Sequence, residues 1–105
     1  MLAGSSIVAF LATVDSKRAR SFYEQVMGLR FISEDDFAIV FDGLGAPLRI
    51  QKVLDVAPRQ FTVLGWSVAS IDAAAAALEA RGLRFERYEF LDQDARGIWR
   101  SPSGA

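Results

Sequence analysis

Arg49 and Gln51 stand two residues apart in the apolar segment PLRIQKV. Residues at this spacing share one face of a strand, so a guanidinium with five N–H donors would lie beside a side-chain amide. Preorganised donors of this kind can stabilise an oxyanion. The same two side chains could equally be the solvated face of a half-buried strand.

Other reactive groups are scarce. The chain contains no histidine and no cysteine, which excludes Ser/His/Asp and Cys/His nucleophiles, disulfides and thiolate ligands. The acidic run EDD at residues 34–36 could supply paired carboxylates, but its position between strands favours a solvated turn. The segment DGLG at residues 42–45 also lies between strands rather than before a helix, so it is not a phosphate-binding loop.

Composition narrows the function further. The chain has 105 residues, 51% of them apolar and 24% charged, which is typical of one globular domain. A formal net charge of −1 leaves no basic excess for nucleic acid. No apolar run is long enough to span a bilayer, and the start MLAGSSIVAF lacks the features of a secretory signal. We therefore expect a cytoplasmic protein that binds neither nucleic acid nor membrane.

The first half of the chain predicts a strand, a helix and three further strands. The apolar run at residues 6–14 predicts a strand covered on both faces. Asp15 and Ser16 can cap a helix over about 17–27, and Gly28 is placed to end it. The segments LRFIS, FAIVF and PLRIQKV, with turn residues between them, predict three short strands.

The second half repeats this order after a linker at residues 54–60. FTVLGWSV at 61–68 predicts a strand, Ser70 and Asp72 offer caps, and IDAAAAALEAR at 71–81 predicts a helix. GLRF at residues 28–31 recurs at 82–85, after the same strand, cap and helix. We infer an internal duplication, with module one at about 6–53 and module two at about 61–105.

Module two is shorter than module one. ERYEF would complete a strand and GIWRS would correspond to FAIVF, but PLRIQKV has no counterpart before Ala105. The expected module therefore lacks its last strand and leaves a sheet edge unpaired. Either the chain is cut short relative to the natural protein, or another element, such as one from a partner subunit, covers that edge. Truncation is favoured, because SPSGA is typical of a turn.

The segments at residues 12–31 and 63–86, ATVDSKRARSFYEQVMGLRF and VLGWSVASIDAAAAALEARGLRFE, resemble the two modules of the vicinal oxygen chelate superfamily. This group contains glyoxalases, bleomycin-resistance proteins and extradiol dioxygenases. The resemblance covers nearly the whole chain. It implies an α+β fold in which two tandem βαβββ modules form a curved mixed sheet around a cleft, commonly within a dimer.

Metal-dependent members of this superfamily hold a divalent metal with two histidines and two glutamates. By position, the resemblance puts the first histidine at Val8 and the second at Val63 or Thr62. It puts the first glutamate at Arg49 or Gln51, and the second on the missing strand. Valine cannot bind a metal, arginine repels a cation and glutamine is a weak ligand. We therefore expect no metal and no cofactor.

The resemblance also identifies a ligand site. If Val8 faces the cleft, strand alternation turns Phe10, Arg49, Gln51 and Val63 to the same cleft. Alternation in GIWRS puts Trp99 and Arg100 on opposite faces, so only one can line it, whereas Trp66 is expected in the core. The candidate ligand-binding residues are Phe10, Arg49, Gln51, Val63 and Trp99, which together predict a mostly apolar pocket.

Three functions are compatible with these residues. The favoured one is a homodimeric protein, similar to the bleomycin-resistance proteins, that binds a small organic molecule, aromatic or planar, in an apolar cleft without a metal. The second is an isomerase, lyase or dioxygenase-type enzyme in which Arg49 stabilises an oxyanion. The third is a dimeric scaffold without a ligand. The superfamily scaffold carries isomerisation, oxidation and plain binding, so the fold alone does not choose among them.

Overall fold

The computed structural model describes residues 1–102. They form an α+β fold of two compact units, Met1–Ser67 and Val68 onwards, which we describe separately. Residues 103–105, which include the end of module two and of the expected turn SPSGA, lie outside the described part. No helix within residues 1–102 is both long and apolar enough to cross a membrane.

The first unit is built on a four-stranded mixed sheet. Its strands are β1 (Ala9–Thr13), β2 (Arg30–Glu34), β3 (Ala38–Asp42) and β4 (Pro47–Lys52), in the order β1-β4-β3-β2. β4 pairs in parallel with β1 and antiparallel with β3, and β3 pairs antiparallel with β2. With the helix between β1 and β2, this is the βαβββ module that the sequence predicts.

Helix α1 (Ser16–Ser21) connects β1 to β2 and continues as a turn of π-helix (Phe22–Val26). The Asp15 side chain accepts a hydrogen bond from the Arg18 N–H at 3.1 Å and so caps the first turn. The helix ends at Gly28, whose φ of 74° is readily adopted by glycine. The predicted cap and stop are both confirmed.

The core of the first unit lies between this helix and one face of the sheet. Leu48 and Ile50 on β4 are almost fully buried, as alternation predicts, and so are Ile39 and Phe41 on β3. Leu64 and Trp66 pack against the same core.

The duplication assigns Leu64 and Trp66 to module two, whereas the compact unit to which they belong ends at Ser67. The module boundaries inferred from the repeat stay a prediction.

The second unit contains helix α2 (Ile71–Ala80). The Ser70 hydroxyl accepts a hydrogen bond from the Ala73 N–H at 3.1 Å, and Gly82 follows the helix with a φ of 94°. The N–H of Leu83 donates to the Leu78 carbonyl, as that of Leu29 donates to the Tyr23 carbonyl after the first helix. Both helices therefore begin at a side-chain cap and are followed by a glycine with positive φ, although the closing hydrogen bond reaches back six residues in the first copy and five in the second.

The second module differs from the sequence prediction in its strands. Residues 61–68, 83–90 and 97–101 form no strand in the described structure. In module one the corresponding segments pair in the sheet, where β4 lies between β1 and β3. In module two the same three segments pair with no neighbouring strand within the described residues.

Candidate functional site

The sheet of the first unit has one face against α1 and the core, and an opposite face that we call the outer face. Strand register determines which residues share it. β1 sets Phe10 beside Arg49 and Ala12 beside Gln51, and β3 sets Val40 and Ala38 beside the same two residues. The outer face is thus formed by Phe10, Ala12, Ala38, Val40, Arg49 and Gln51.

Arg49 lies at the centre of this face. Neighbouring strands are about 4.8 Å apart, so its side chain stands between Phe10 on one side and Val40 on the other. Arg49 is half-buried, whereas the Phe10 ring is 52% exposed. The arrangement places a guanidinium beside an accessible aromatic ring and a β-branched side chain. A planar molecule could stack on the ring and accept hydrogen bonds from the guanidinium.

The polar groups of Arg49 and Gln51 are available to a ligand. Neither side chain makes a hydrogen bond or ion pair within residues 1–102. No side-chain nitrogen or oxygen is buried there without a partner, so the donors of both residues reach solvent. Residues two apart on a strand are separated by about 6.6 Å. The two side chains can therefore contact different polar atoms of one small molecule.

The nearby acidic run is structural. Asp35 Oδ1 accepts hydrogen bonds from the N–H groups of Phe37 and Ala38 at 2.8 and 2.9 Å. These bonds, more than the neighbouring charges of Arg49 and Lys52, hold the pKa of the Asp35 carboxyl below its usual value. Asp35 thus closes the turn between β2 and β3, as the solvated-turn interpretation predicts.

Glu34 belongs to the other face of the sheet. Its carboxylate lies 2.8 Å from Lys52 Nζ and 3.4 Å from Arg20 Nη1. The Lys52 hydrogen bond is the main cause that lowers the pKa of Glu34, with a smaller contribution from Arg20. The Arg20 guanidinium also lies 3.7 Å from the centre of the Phe31 ring. Sequence analysis did not identify this cluster, because the partners come from a helix and two strands.

The remaining candidate residues lie elsewhere. Val63 is 55% exposed in the irregular segment that follows the sheet, next to the packed Leu64. Trp99 is 45% exposed and belongs to the second unit. The structure therefore brings Phe10, Arg49 and Gln51 together on two adjacent strands. A ligand-binding role for all five candidates stays a prediction.

The side chains at the expected metal positions do not fit a divalent cation. Val8 and Val63 carry no donor atom, and the alternatives Thr62 and Gln51 offer only neutral, weak oxygen ligands. The positive charge of Arg49 lies at the centre of the outer face. Within residues 1–102, no three or more carboxylate, imidazole or thiol groups are arranged to hold a metal ion. We therefore derive no chemistry through a metal at this face.

Comparison with known proteins gives matches in structure. No protein-family model and no curated protein matches the chain. A glyoxalase/bleomycin resistance protein/dioxygenase from Nocardioides is similar with a TM-score of 0.62 and 22% identity, over 81% of this chain and 69% of that one. TioX from Micromonospora sp. ML1 is similar with a TM-score of 0.59 and 19% identity, over 96% and 93%.

A lactoylglutathione lyase from Agrobacterium tumefaciens is also similar, with a TM-score of 0.54 and 19% identity over 93% of this chain and 86% of that one. At these identities the likeness concerns the backbone architecture. It agrees with the βαβββ topology of β1 to β4 and with the resemblance drawn from the sequence. The chain therefore has the fold of the glyoxalase/bleomycin resistance/dioxygenase proteins.

Proposed function

We propose that the protein binds a small, planar organic molecule on the outer face, without a metal. The observation that supports this most directly is the register of β1 and β4, which sets the exposed Phe10 ring beside the Arg49 guanidinium. The apolar residues Ala12 and Val40 flank these groups, and Ala38 on the same face is buried. A largely apolar surface with a few convergent donors is typical of small-molecule sites.

Each side chain has a separate role in this proposal. Phe10 supplies a ring face on which a planar ligand can stack. Arg49 supplies paired N–H donors for a carboxylate, phenolate or enolate oxygen, and Gln51 can both donate and accept. Arg49 makes no hydrogen bond or salt bridge within residues 1–102, although its charge acts at longer range on Asp35. A ligand would therefore not have to break a direct contact of the guanidinium. The expected ligand is therefore planar and carries an oxyanion.

Catalysis is the second candidate function, and the same arginine supports it. A guanidinium that makes no direct hydrogen bond or salt bridge could stabilise negative charge that develops on an oxygen during isomerisation or elimination. The turnover of candidate substrates separates this function from plain binding. If Arg49→Gln lowers kcat while leaving substrate affinity unchanged, the arginine acts on the transition state, and the protein is an enzyme.

Thermal unfolding with a panel of planar aromatic acids tests the binding proposal. A ligand at about a hundredfold excess over its Kd stabilises the native state by about 2.7 kcal/mol, which should raise Tm by about ten degrees or more for a chain of this size. Arg49→Gln and Phe10→Ala should reduce the shift. Arg18→Gln, which makes the same charge change on α1, should not. Equal shifts in all three variants would place the ligand elsewhere.

A panel of divalent metals tests the second part of the proposal. Chelator-treated protein should unfold at the same temperature with and without nickel, zinc, manganese or iron, because the outer face offers no suitable ligand set. A metal that raises Tm, and raises it more in Arg49→Gln than in the unmodified protein, would show a metal site at this face, because the substitution removes a positive charge that repels a cation. That result would contradict the metal-free proposal.

A further inference from the structure

Three arginines surround an open depression in the second unit. The depression has a volume of about 470 Å³ and is lined by Glu79, Leu83, Arg84, Phe85, Arg87, Ala95 and Arg96. The polar residues of its lining, which we call the rim, are three arginines and one glutamate, so the rim carries a net positive charge. Leu83 and Phe85 add an apolar surface. Residues 68–102 contain five arginines and six acidic residues, so the positive charge is concentrated here and is not a property of the whole unit.

The guanidinium groups of Arg87 and Arg96 are oriented mainly by backbone carbonyl oxygens, which do not neutralise their positive charge. Arg87 donates to the carbonyls of Asp94 and Gln93 at 3.0 and 3.3 Å. Arg96 donates to the Asp72 carbonyl at 3.1 Å and lies 3.7 Å from the Glu79 carboxylate. Backbone carbonyls orient a guanidinium but carry no formal charge. Among the described residues, the exposed ion pair between Arg96 and Glu79, at 3.7 Å, is the salt bridge that reduces the positive charge of this lining.

Arg84 has no such partner. Its side chain makes no hydrogen bond or ion pair within the part of the chain that the structure describes. It follows Leu83 and precedes Phe85, so a cation stands between the two apolar residues that line the depression. A guanidinium offers a planar fork of donors that matches a carboxylate or phosphate. Arg84 is therefore the rim residue best able to bind an incoming oxyanion.

The segment that carries this rim is braced by its own hydrogen bonds. Gln93 Nε2 donates to the carbonyls of Glu86 and Gly97 at 2.9 and 2.7 Å, and Gln93 Oε1 accepts from the Tyr88 N–H at 2.7 Å. Asp94 Oδ1 accepts from the N–H groups of Arg96 and Ile98 at 2.9 and 3.0 Å. These bonds position Arg87 and Arg96 before any ligand arrives.

Gly97 brings the braced segment close to Phe85. It has a φ of 95°, and a Cβ added there would lie 3.3 Å from the Phe85 Cβ and 3.8 Å from Arg87 Nη1. The close approach therefore depends on glycine, both for its backbone conformation and for the absence of a side chain. It keeps the Phe85 ring and the Arg87 guanidinium at one side of the depression.

We propose that this depression is a binding site for a small molecule that joins an oxyanion to a planar apolar body. Arg84, together with the positioned Arg87 and Arg96, binds the oxyanion, and Phe85 and Leu83 contact the apolar body. Carboxylates and phosphate monoesters share this chemistry. The site lies within the second unit and does not depend on the function proposed for the outer face of the sheet.

Titration of the amide chemical shifts with benzoate and phenyl phosphate tests the proposal. Benzyl alcohol, which keeps the ring and lacks the charge, and inorganic phosphate, which lacks the ring, are the comparison probes. We expect saturable shifts at residues 79–87 and 95–97 with at least one of the two charged aromatic probes, at a Kd in about the millimolar range. Tighter binding of phenyl phosphate would identify a phosphate monoester as the ligand class, and tighter binding of benzoate a carboxylate.

Three variants test whether the charged residues of the depression determine the affinity for the probes. Arg84→Gln should weaken binding by about tenfold, because it removes charge-assisted hydrogen bonds. Arg59→Gln, the same change in the exposed segment between the modules, should alter Kd less than about twofold, because charges there are screened. Glu79→Gln should tighten binding severalfold by removing the carboxylate of the rim. An increase in affinity cannot come from a general loss of folding, which would weaken binding.

Several results would overturn the proposal. It fails if Arg84→Gln and Arg59→Gln bind equally, or if benzyl alcohol binds as tightly as the charged probes. It also fails if none of the probes binds at all. Shifts confined to residues 9–13 and 47–52 would assign the ligand to the outer face instead, which would support the proposed function and contradict this second site.

Discussion

Leu44 adopts a left-handed backbone conformation that is unfavourable for a residue other than glycine. Its φ is 65°, in a turn where it is flanked by Gly43 and Gly45. The left-handed conformation costs a residue with a Cβ about 1 kcal/mol. The Leu44 side chain is 71% exposed, so packing does not repay that cost. The strain is instead supported by the turn, in which the Gly43 N–H donates to the Ala46 carbonyl and the Leu44 N–H to Asp42 Oδ1.

Leu44→Gly should therefore stabilise the protein. Glycine removes the strain, although its greater freedom in the unfolded chain offsets part of the gain, so we expect an increase of about 0.5 kcal/mol in the free energy of unfolding. Urea unfolding measures it. Leu44→Ala keeps the Cβ and serves as the control, since it should bring no gain. An equal effect of both substitutions would locate the cost in the side chain and not in the backbone.

Trp66 joins the segment after the sheet to the same turn. Its Nε1 donates to the Gly43 carbonyl at 3.0 Å, and its ring packs against the core. Trp66→Phe should keep most of the packing and lose the hydrogen bond, which lowers the free energy of unfolding by about 1 kcal/mol. Trp99→Phe is the matched control and should change it by less than about 0.5 kcal/mol. Equal effects would show that the hydrogen bond contributes nothing measurable.

At the scale of elements, two identical sequences have different structures. GLRF at residues 28–31 enters β2, which pairs with β3. GLRF at 82–85 follows α2 in the same way but enters no strand. The local signals, a helix followed by a glycine stop, are the same in both copies. The difference lies in the strand partner of each copy, because β2 pairs with β3, whereas residues 82–85 pair with no strand in the described structure.

Amide hydrogen exchange tests this difference with an internal control. Because the two copies share one local sequence, their unfolded amides exchange at nearly the same intrinsic rates. In the antiparallel pair of β2 and β3, either Arg30 or Phe31 donates to the ladder, so one of them should exchange slowly. The corresponding amides of Arg84 and Phe85 should exchange orders of magnitude faster. Equal protection would mean that residues 83–90 pair as a strand in solution.

At the scale of the whole molecule, stability should depend on pH in one direction. The pKa values of Glu34, Asp35 and Asp94 are all lowered, by the Lys52 hydrogen bond, by the turn N–H groups, and by the Ile98 N–H, respectively. A lowered folded-state pKa means that the charged form is favoured in the native state. The resulting stability is present above the ordinary pKa values of 4.5 and 3.8 and is lost as pH falls through the lowered ones.

Tm should therefore decrease as the pH is lowered below about 5. From about pH 5 to 8 it should change little, because the chain has no histidine to titrate there. Asp94→Asn should make the decrease of Tm below about pH 5 smaller, since it removes one of the three carboxyl groups with a lowered pKa. A Tm that stays constant down to about pH 3 would show that the pKa values of these carboxyl groups are the same in the native and the unfolded protein.

The homodimer expected from the sequence stays a proposal, and the sheet supports it. β1 and β2 are its two edges, so each has one side unpaired within the described sheet. Unpaired edges and exposed apolar side chains such as Val8 and Ile7 favour association. Sedimentation equilibrium should give a mass of two 11.5-kDa chains. A monomer at the highest soluble concentration would contradict the proposal.

The sequence by itself determined the local features of this protein. The strand, helix and three strands of module one, the caps at Asp15 and Ser70, and the stops at Gly28 and Gly82 follow from periodicity, capping and the freedom of glycine. These signals act over a few residues, so they can be read from the chain. Alternation along β4 likewise separated Leu48 and Ile50 from Arg49 and Gln51.

Only the tertiary structure decided which of these features meet. It set Phe10 beside Arg49 through the parallel pairing of β1 with β4, and it joined Lys52 to Glu34 across the sheet. It also gathered Arg84, Arg87 and Arg96 around one depression and left the strand signals of module two unpaired. The physical reason is that register and strand partners depend on groups far apart in the chain. A strand signal shows what a segment can form, but forming it requires a neighbour with free hydrogen-bonding groups.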